Sequence, residues 1–598
     1  MTLRIDPASI APPPPEEQAR LLSRRRRLML ALNLATVFII ATVAASIAAS
    51  GGWTGADIIL VLCVIAITPW HAIGFWNALV GLVLLHGTRD GVARAAPFLS
   101  GSDSDAPVLV RTALLMTLRN EDPERALSRL RAVKAELDRT GFGGMFDCFV
   151  LSDTSRPDVA AAEEAAVARW RADMGGRGLF YRRRSENTGF KAGNVRDFCE
   201  RWGAGYELML PLDADSLMGA PAILRMVRIM QAHPRIGILQ SLVVGLPSRS
   251  AFARLFQFGM RAGMRCYTLG ATWWAGDCGP FWGHNALVRI APFRAHCTLP
   301  DLPGPPPLGG PILSHDQVEA VLMRRAGYEV RVVPVESESY EENPPALPDF
   351  LARDARWCVG NMQYLKLLRL PGAHPMGRFQ LAWAVLMFAT IPALPLALLA
   401  LPFAAYAAPE GVAGPAAALY LGLMVLSLFP KLAGFLDVAL TPGMAARYGG
   451  AGRFALSAGI ELAFSFLLSA VSAVATTVLL LRLALHAGRG GRRWEWGGQA
   501  RDAHALSWGR AARDLAAPTL FALLVAGLTL ALAPGLLVWI LPLIAGGLLA
   551  IPLAVVTADP RLGRALERWR ICALPEEQAP PAVLAALTQG KESLHRAA

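Results

Sequence analysis

The sequence predicts a multi-pass α-helical membrane protein with an α/β domain inserted between its membrane helices. Of its 598 residues 54% are hydrophobic and only 17% charged, and the mean hydropathy is +0.38, too apolar for an ordinary soluble protein. One long polar stretch, from about residue 89 to 376, interrupts the apolar runs and has the size of a conventional domain. Inside it, short apolar runs alternate with amphipathic segments, the pattern of a parallel sheet wound with helices. The net charge of +12 comes from Lys and Arg clustered beside apolar segments, as in cytoplasmic loops, so it argues for topology and against nucleic acid. Eight cysteines lie scattered without a CxxC pair, which fits reduced thiols rather than a zinc site or a disulfide framework.

Taken in order, residues 1–27 form a cytoplasmic tail with a proline run at Pro12–Pro15, and 28–86 hold two spanning helices, Leu28–Ser50 and Ile58–Leu85. The loop between them, Gly51–Asp57, has no Lys or Arg and is expected outside. Residues 87–376 then face the cytoplasm. In 377–485 come helices Phe379–Ala404 and Ala416–Leu440, followed by Leu456–Leu485. Basic segments on both sides make a single crossing by the last of these inconsistent, so it is expected to be interfacial or re-entrant, leaving six full spans. Glu461 within it reads either as lining a polar path or as a helix-end residue near the interface. Residues 486–514 are rich in Trp and Arg. A hairpin at 515–557, Leu515–Leu532 and Leu536–Val556, precedes a cytoplasmic tail at 558–598 that carries Arg561, Arg564, Arg568 and Arg570.

Within the inserted domain, strands are expected at Val108–Leu118, Phe146–Ser152, Leu179–Tyr181 and Tyr206–Leu212, and a glycine-rich, aromatic loop, Gly276–Asn285, precedes the apolar Ala286–Ile290. Ligands of such sheets bind beyond the carboxyl ends of the strands. Asp153, Lys191 and the pair Asp213 and Asp215 lie there, and two carboxylates at i and i+2 suit a hard cation, Mg2+ or Mn2+, able to hold a diphosphate. Taken alone, Asp-x-Asp fits a helix-capping loop equally well. Ser314-His315-Asp316 opens a helix at Gln317, where a cap is the plainer reading. Arg353 and Arg356 share a helix face beside Trp357, as solvated charges or as forks for a diphosphate.

The order Asp153, Asp213/Asp215, Asp316, then Arg353-x-x-Arg356-Trp357, all between membrane helices, resembles the processive inverting family 2 glycosyltransferases, best known from the cellulose synthases. Their signature is D, DxD, (T/S)ED and (Q/R)xxRW. Ser-His-Asp in place of Thr-Glu-Asp, Arg in place of Gln, and the stretches GDCGPFWGHNA and RWCVGNMQYLKLL look like one branch, the glucans biosynthesis glucosyltransferase H family, with the resemblance running from about residue 60 to 515. It implies a cytoplasmic GT-A (Rossmann-like) domain in a bacterial inner-membrane enzyme. That enzyme would use UDP-glucose and Mg2+ or Mn2+ to elongate, and export, the β-1,2-linked backbone of osmoregulated periplasmic glucans. By the same resemblance Asp153 and Lys191 touch the uridine part with Thr117 and Glu121 at its border, and Asp213 and Asp215 hold the metal. Arg353 and Arg356 grip the diphosphate, Asp316 is the general base, and Trp357 with Trp282 stacks on the acceptor glucan. The partners implied are UDP-glucose, the growing glucan, membrane lipids and a periplasmic glucan-processing protein. By analogy with cellulose synthase, residues 486–514 are either a gating loop over the donor or a lipid-surface anchor. A cellulose-type or mannan synthase and a non-catalytic glycan channel are the alternatives.

Overall fold

A computed structural model of the protein describes residues 15–100, 106–486 and 501–587. Helix α1 spans Glu16–Ala49 and α2 Gly55–His86. The first helix therefore begins well before Leu28, inside the expected tail. Its arginines explain why: Arg26 Nη2 lies 2.5 Å from Asp277, and Arg25 donates to the Trp273 carbonyl at 3.0 Å. The basic run is an anchor on the inserted domain as well as a topology signal. Thr54 and Asp57 form a capping box that starts α2.

The domain is built on an eight-stranded mixed sheet in the order β3-β2-β1-β4-β7-β6-β8-β5. Its strands are β1 Thr112–Leu118, β2 Phe146–Ser152, β3 Leu179–Arg183, β4 Leu208–Leu212, β5 Leu217–Met218, β6 Ile236–Gly245, β7 Ala286–Arg289 and β8 Glu329–Glu341. The strands β3, β2, β1 and β4 run parallel, while β7 pairs antiparallel with both neighbours. Along β1, Leu114 and Met116 enter one buried layer and Ala113 and Leu115 the other, the period-two alternation of a strand covered on both faces. β1 starts at Thr112 rather than Val108, where pairing with Phe146 and Leu208 begins.

The helices that place functional residues are α3 Pro123–Arg139, α4 Phe190–Arg201, α5 Ala251–Ala275, α6 Asp316–Arg325 and α7 Leu347–Gln363. Helix α5 is the seam between domain and membrane. A Cβ on Gly81 of α2 would overlap the Cys266 carbonyl, and one on Gly270 would overlap that of Asn77, so the two helices cross at backbone contact. From the other side Arg254 donates to the Ile571 carbonyl at 2.7 Å and pairs with Glu577 at 2.6 Å. Arg261 pairs with Glu336 at 2.8 Å and Glu576 at 2.5 Å. The C-terminal segment thereby closes onto α5.

After the domain come α8 Pro375–Ala389 and α9 Ala393–Ala407, bent by 46° at a break where one helix was expected; Pro392 stands in that break. Helix α10 is Ala413–Leu440 and α11 Ala451–His486. The latter is one helix whose stretch Ala451–Leu485 has the length and apolarity to cross, while it packs on the domain both early, Phe464 against Phe252 at 5.5 Å, and late, Leu479 and Leu480 against the layer that holds Cys358 and Met362; the interfacial or re-entrant placement expected for Leu456–Leu485 is compatible with both. Glu461 is 1% exposed and accepts from Lys431 at 2.5 Å and Ser465 at 2.6 Å. Paired in this way, it is neither at a helix end in water nor an open lining group. Leu536–Val556 is likewise broken, between Pro534–Leu548 and Ala550–Ala558, by 53°. Among the described residues four helices could cross a membrane, or up to seven if each bent pair is one span, against the six expected.

A Cβ at Gly51 would strike the Pro409 ring, so the α1–α2 and α9–α10 loops share one side, opposite the domain. Cysteines at Trp53 and Glu410 are expected to react with an impermeant maleimide in intact cells, and one at Arg568 only after permeabilisation. Labelling of Arg568 from outside would reverse the orientation.

Candidate functional site

The site lies beyond the carboxyl end of β4. A tight turn follows Leu212, in which the Ser216 N–H donates to the Asp213 carbonyl at 2.9 Å and the Asp213 N–H to the Ser216 hydroxyl at 3.1 Å. Arg129 of α3 holds the middle of the turn through the Ala214 carbonyl at 3.0 Å. Asp213 forms an ion pair with Lys191. Although burial opposes ionisation, that ammonium and His284 hold its carboxyl below the usual range. Asp215, 8% exposed, accepts from Arg501 at 2.5 Å. Each half of the Asp-x-Asp pair thus faces one cation of the chain.

Arg501 begins a strap across the mouth of the site. Asp502 pairs with Arg125 at 2.6 Å, His504 lies 3.5 Å from Asp349, and Leu506 is buried. The rest of the expected Trp/Arg-rich segment, 487–500, lies outside the described residues.

Asp153 follows β2 and is gripped from two sides by Arg184, at 2.7 and 2.8 Å, rather than by Lys191. Arg184 also donates to the carbonyls of Thr188 and Phe190, each at 3.0 Å, folding the loop that presents Lys191 to Asp213. Thr117 reaches the Leu212 carbonyl at 3.5 Å. Glu121 accepts from the Arg119 N–H. Burial, with Asp213 adding to it, pushes that carboxyl up to about 7 against the backbone N–H and Arg501.

On α7, Arg353 is 9% exposed, stacks 4.6 Å from the Trp357 ring, and keeps a buried Nε with no hydrogen-bond partner among the described residues. Burial, together with Arg501 and Arg353, lowers Arg356 to about 10. Trp357 is 45% exposed, so its ring is open to a ligand. Trp282 is half-buried, its N–H on Gln240 at 2.9 Å. The same helix seats the Ser314–Asp316 segment: the Tyr364 hydroxyl, just past its end, donates to the Ser314 carbonyl at 2.7 Å, and Gly360 leaves room for the Ser314 side chain. Asp316 opens α6 and faces Gly283, whose φ of +79° and missing side chain allow an approach that a Cβ would narrow to 3.3 Å from Asp316.

Four residues of this crevice escaped the sequence reading. Arg184 and Arg501 are two of them. His284 lies 3.4 Å from the Ser216 hydroxyl through Nδ1 and 3.5 Å from Glu341 through Nε2. Burial raises the pKa of Glu341, with Asp215 and Asp213 adding and His284 and Arg353 opposing. The Gly-His-Asn triplet after Trp282 and the acidic end of β8, Glu341-Glu342, were the signals available.

The family model described as glycosyl transferase family group 2 matches residues 208–426, which include the Asp-x-Asp turn, Asp316 and α7. A Xanthomonas campestris pv. campestris protein named glucans biosynthesis glucosyltransferase H is 38% identical over 558 residues, 89% of this chain and 84% of that protein. A Caulobacter vibrioides protein of the same name is 36% identical over 563 residues, 90% and 83%. Among solved structures, a mannosyltransferase from Pyrobaculum calidifontis in complex with GDP-Man and Mn2+ is 19% identical with a TM-score of 0.37, covering 62% of this chain and 99% of that one.

Gly360→Ala should push Ser314 off α7 and cost about 1–3 kcal/mol, the usual penalty for overpacking, read as a lower unfolding midpoint in detergent. Gly509→Ala, with nothing within 4 Å, serves as control. Equal midpoints would mean that the α7 seat is not needed.

Proposed function

Because the chain belongs to the glucans biosynthesis glucosyltransferase H family, we propose that it transfers glucose from UDP-glucose to the end of a linear β-1,2-glucan. In this reading the domain faces the cytoplasm of a bacterial inner membrane, the membrane helices export the product, and a periplasmic glucan-processing protein receives it. The observation that carries the reading is the position of Lys191. It pairs with Asp213 and also acts on the His315–Glu319 pair beside Asp316. This supports a reading in which the diphosphate-side carboxylates and the candidate base serve one space.

An acceptor hydroxyl oxygen attacks the anomeric carbon of the donor, the bond from that carbon to the UDP oxygen breaks, and UDP leaves with the bonding pair. Asp316 takes the hydroxyl proton. One displacement turns the α-linked donor into a β-glucoside. Arg353 and Arg356 stabilise charge gathering on the diphosphate, and the buried Nε of Arg353 supplies a donor with no competing partner among the described residues. Trp357 offers the acceptor ring a flat apolar platform, with Trp282 as a second one. Asp153 and its Arg184 fork, with Thr117 and Glu121, border the uridine end.

Asp213 and Asp215 fit a hard divalent ion, Mg2+ or Mn2+. Both carboxylates already stand opposite positive charge, and Arg501 is a single side chain that can leave Asp215. No group of three or more His, Cys, Asp or Glu side chains suited to a metal occurs among the described residues, so donor oxygens and water would complete the coordination. The ion would offset diphosphate charge.

Membrane-reconstituted protein given UDP-glucose and Mg2+ should yield β-1,2-linked glucan; a β-1,4 product would favour a cellulose-type synthase. Asp316→Asn should lower transfer at least about 10²- to 10⁴-fold while UDP-glucose remains bound. Asp215→Asn should remove the Mg2+-dependent gain in UDP affinity seen by calorimetry, and an unchanged gain would place the cation elsewhere.

A further inference from the structure

Directly behind Asp316 stands a pair that transfer of a proton to Asp316 does not by itself require. Glu319, one helical turn along α6, is 3% exposed, and its carboxylate lies 2.9 Å from His315 Nδ1. His315 immediately precedes Asp316, and its Cε1 would lie 3.6 Å from a Cβ on Gly283, the residue that also abuts Asp316. Two carboxylates three positions apart on one helix, one fully buried, repel each other strongly in a region of low dielectric. The imidazole is the group of their own helix that can oppose this.

We propose that His315, held by Glu319, is a positioning residue for Asp316: as an imidazolium it supplies the counter-charge that lets both carboxylates stand side by side and keeps Asp316 aimed across Gly283. This rests on Asp316 being the base. The other groups around the imidazole are few. Lys191 reaches it from α4 and opposes its protonation, while Tyr364 is engaged with the Ser314 carbonyl. Cys297 donates to the Glu319 carbonyl at 3.6 Å and carries no charge, since burial pushes its thiol well up. Burial by itself disfavours the imidazolium, yet Glu319, with Asp316 behind it, raises the imidazole above its ordinary value. The charge is therefore fully present below the ordinary imidazole value and lost as pH rises through the raised one.

The test is the pH dependence of sugar transfer by the full-length protein, with UDP affinity as the measure of folding. Glu319→Gln keeps the size but removes the charge that sustains the imidazolium. Its alkaline decline in kcat should move to lower pH, with kcat at pH 8 roughly tenfold below wild type, as when a group titrates about one pH unit early, and with KM for UDP-glucose unchanged. His315→Gln can still donate to Glu319 but carries no charge, so kcat should fall while UDP affinity holds and the alkaline decline disappears. A wild-type pH profile in Glu319→Gln, or a loss equal at every pH, would overturn the proposal. If Glu319→Gln no longer binds UDP, His315→Gln decides, and full activity in it overturns the proposal. An active Asp316→Asn would instead sink the assignment of the base itself.

Discussion

Negative charge crowded into one crevice is the constraint around which the rest is arranged. Asp213 and Asp215 at the end of β4, Glu121 beyond β1 and Glu341 at the end of β8 act on one another electrostatically, and like charges in a partly desolvated space cannot all persist without counter-ions. The chain supplies Lys191, Arg501, Arg353 and His284, each from a different segment. The same need fixes the surrounding geometry. Glu342 sits between Arg125 at 2.7 Å and Arg129 at 2.5 Å, so the end of β8 is tied to α3, and α3 in turn holds the Asp-x-Asp turn. These ion pairs fix the carboxylates to which the proposed function assigns a cation and a diphosphate.

Helix α7 adds a mechanical constraint. Its early turns carry Arg353, Arg356 and Trp357, and its later part, through Gly360 and Tyr364, seats Ser314 and hence Asp316. The side chains proposed as leaving-group clamp and base are attached to one helix, so they cannot drift apart independently. An in-line displacement gains most from such fixed alignment.

The strands were legible because a buried parallel strand is a short apolar run, here with a carboxylate just past its end. Phe146–Ser152 followed by Asp153, and Leu208–Leu212 followed by Asp213, show this directly. The motif residues were legible for the same reason, since their order and spacing are local. What remained hidden was pairing over distance. Arg184 is one of three successive arginines, with nothing to show that it would take Asp153, and Arg501 lies 286 positions from Asp215. Glu461 gave no sign of its partner Lys431, 30 positions away. The bends at Pro392 and after Leu548 go unrecorded by hydropathy, although a proline stands at the first.

The ion pairs that join α5 to the C-terminal segment have a consequence in time. Arg254 and Arg261 are buried, but their partners Glu577 and Glu576 lie 323 and 315 positions further along the chain and are made long after them. Until they arrive, two guanidiniums inside the seam between sheet and membrane helices have lost water and lack part of their counter-charge. The full set of ion pairs across the seam can therefore form only once that distant segment is present, so the contact between sheet and membrane helices depends on a stretch that belongs to neither.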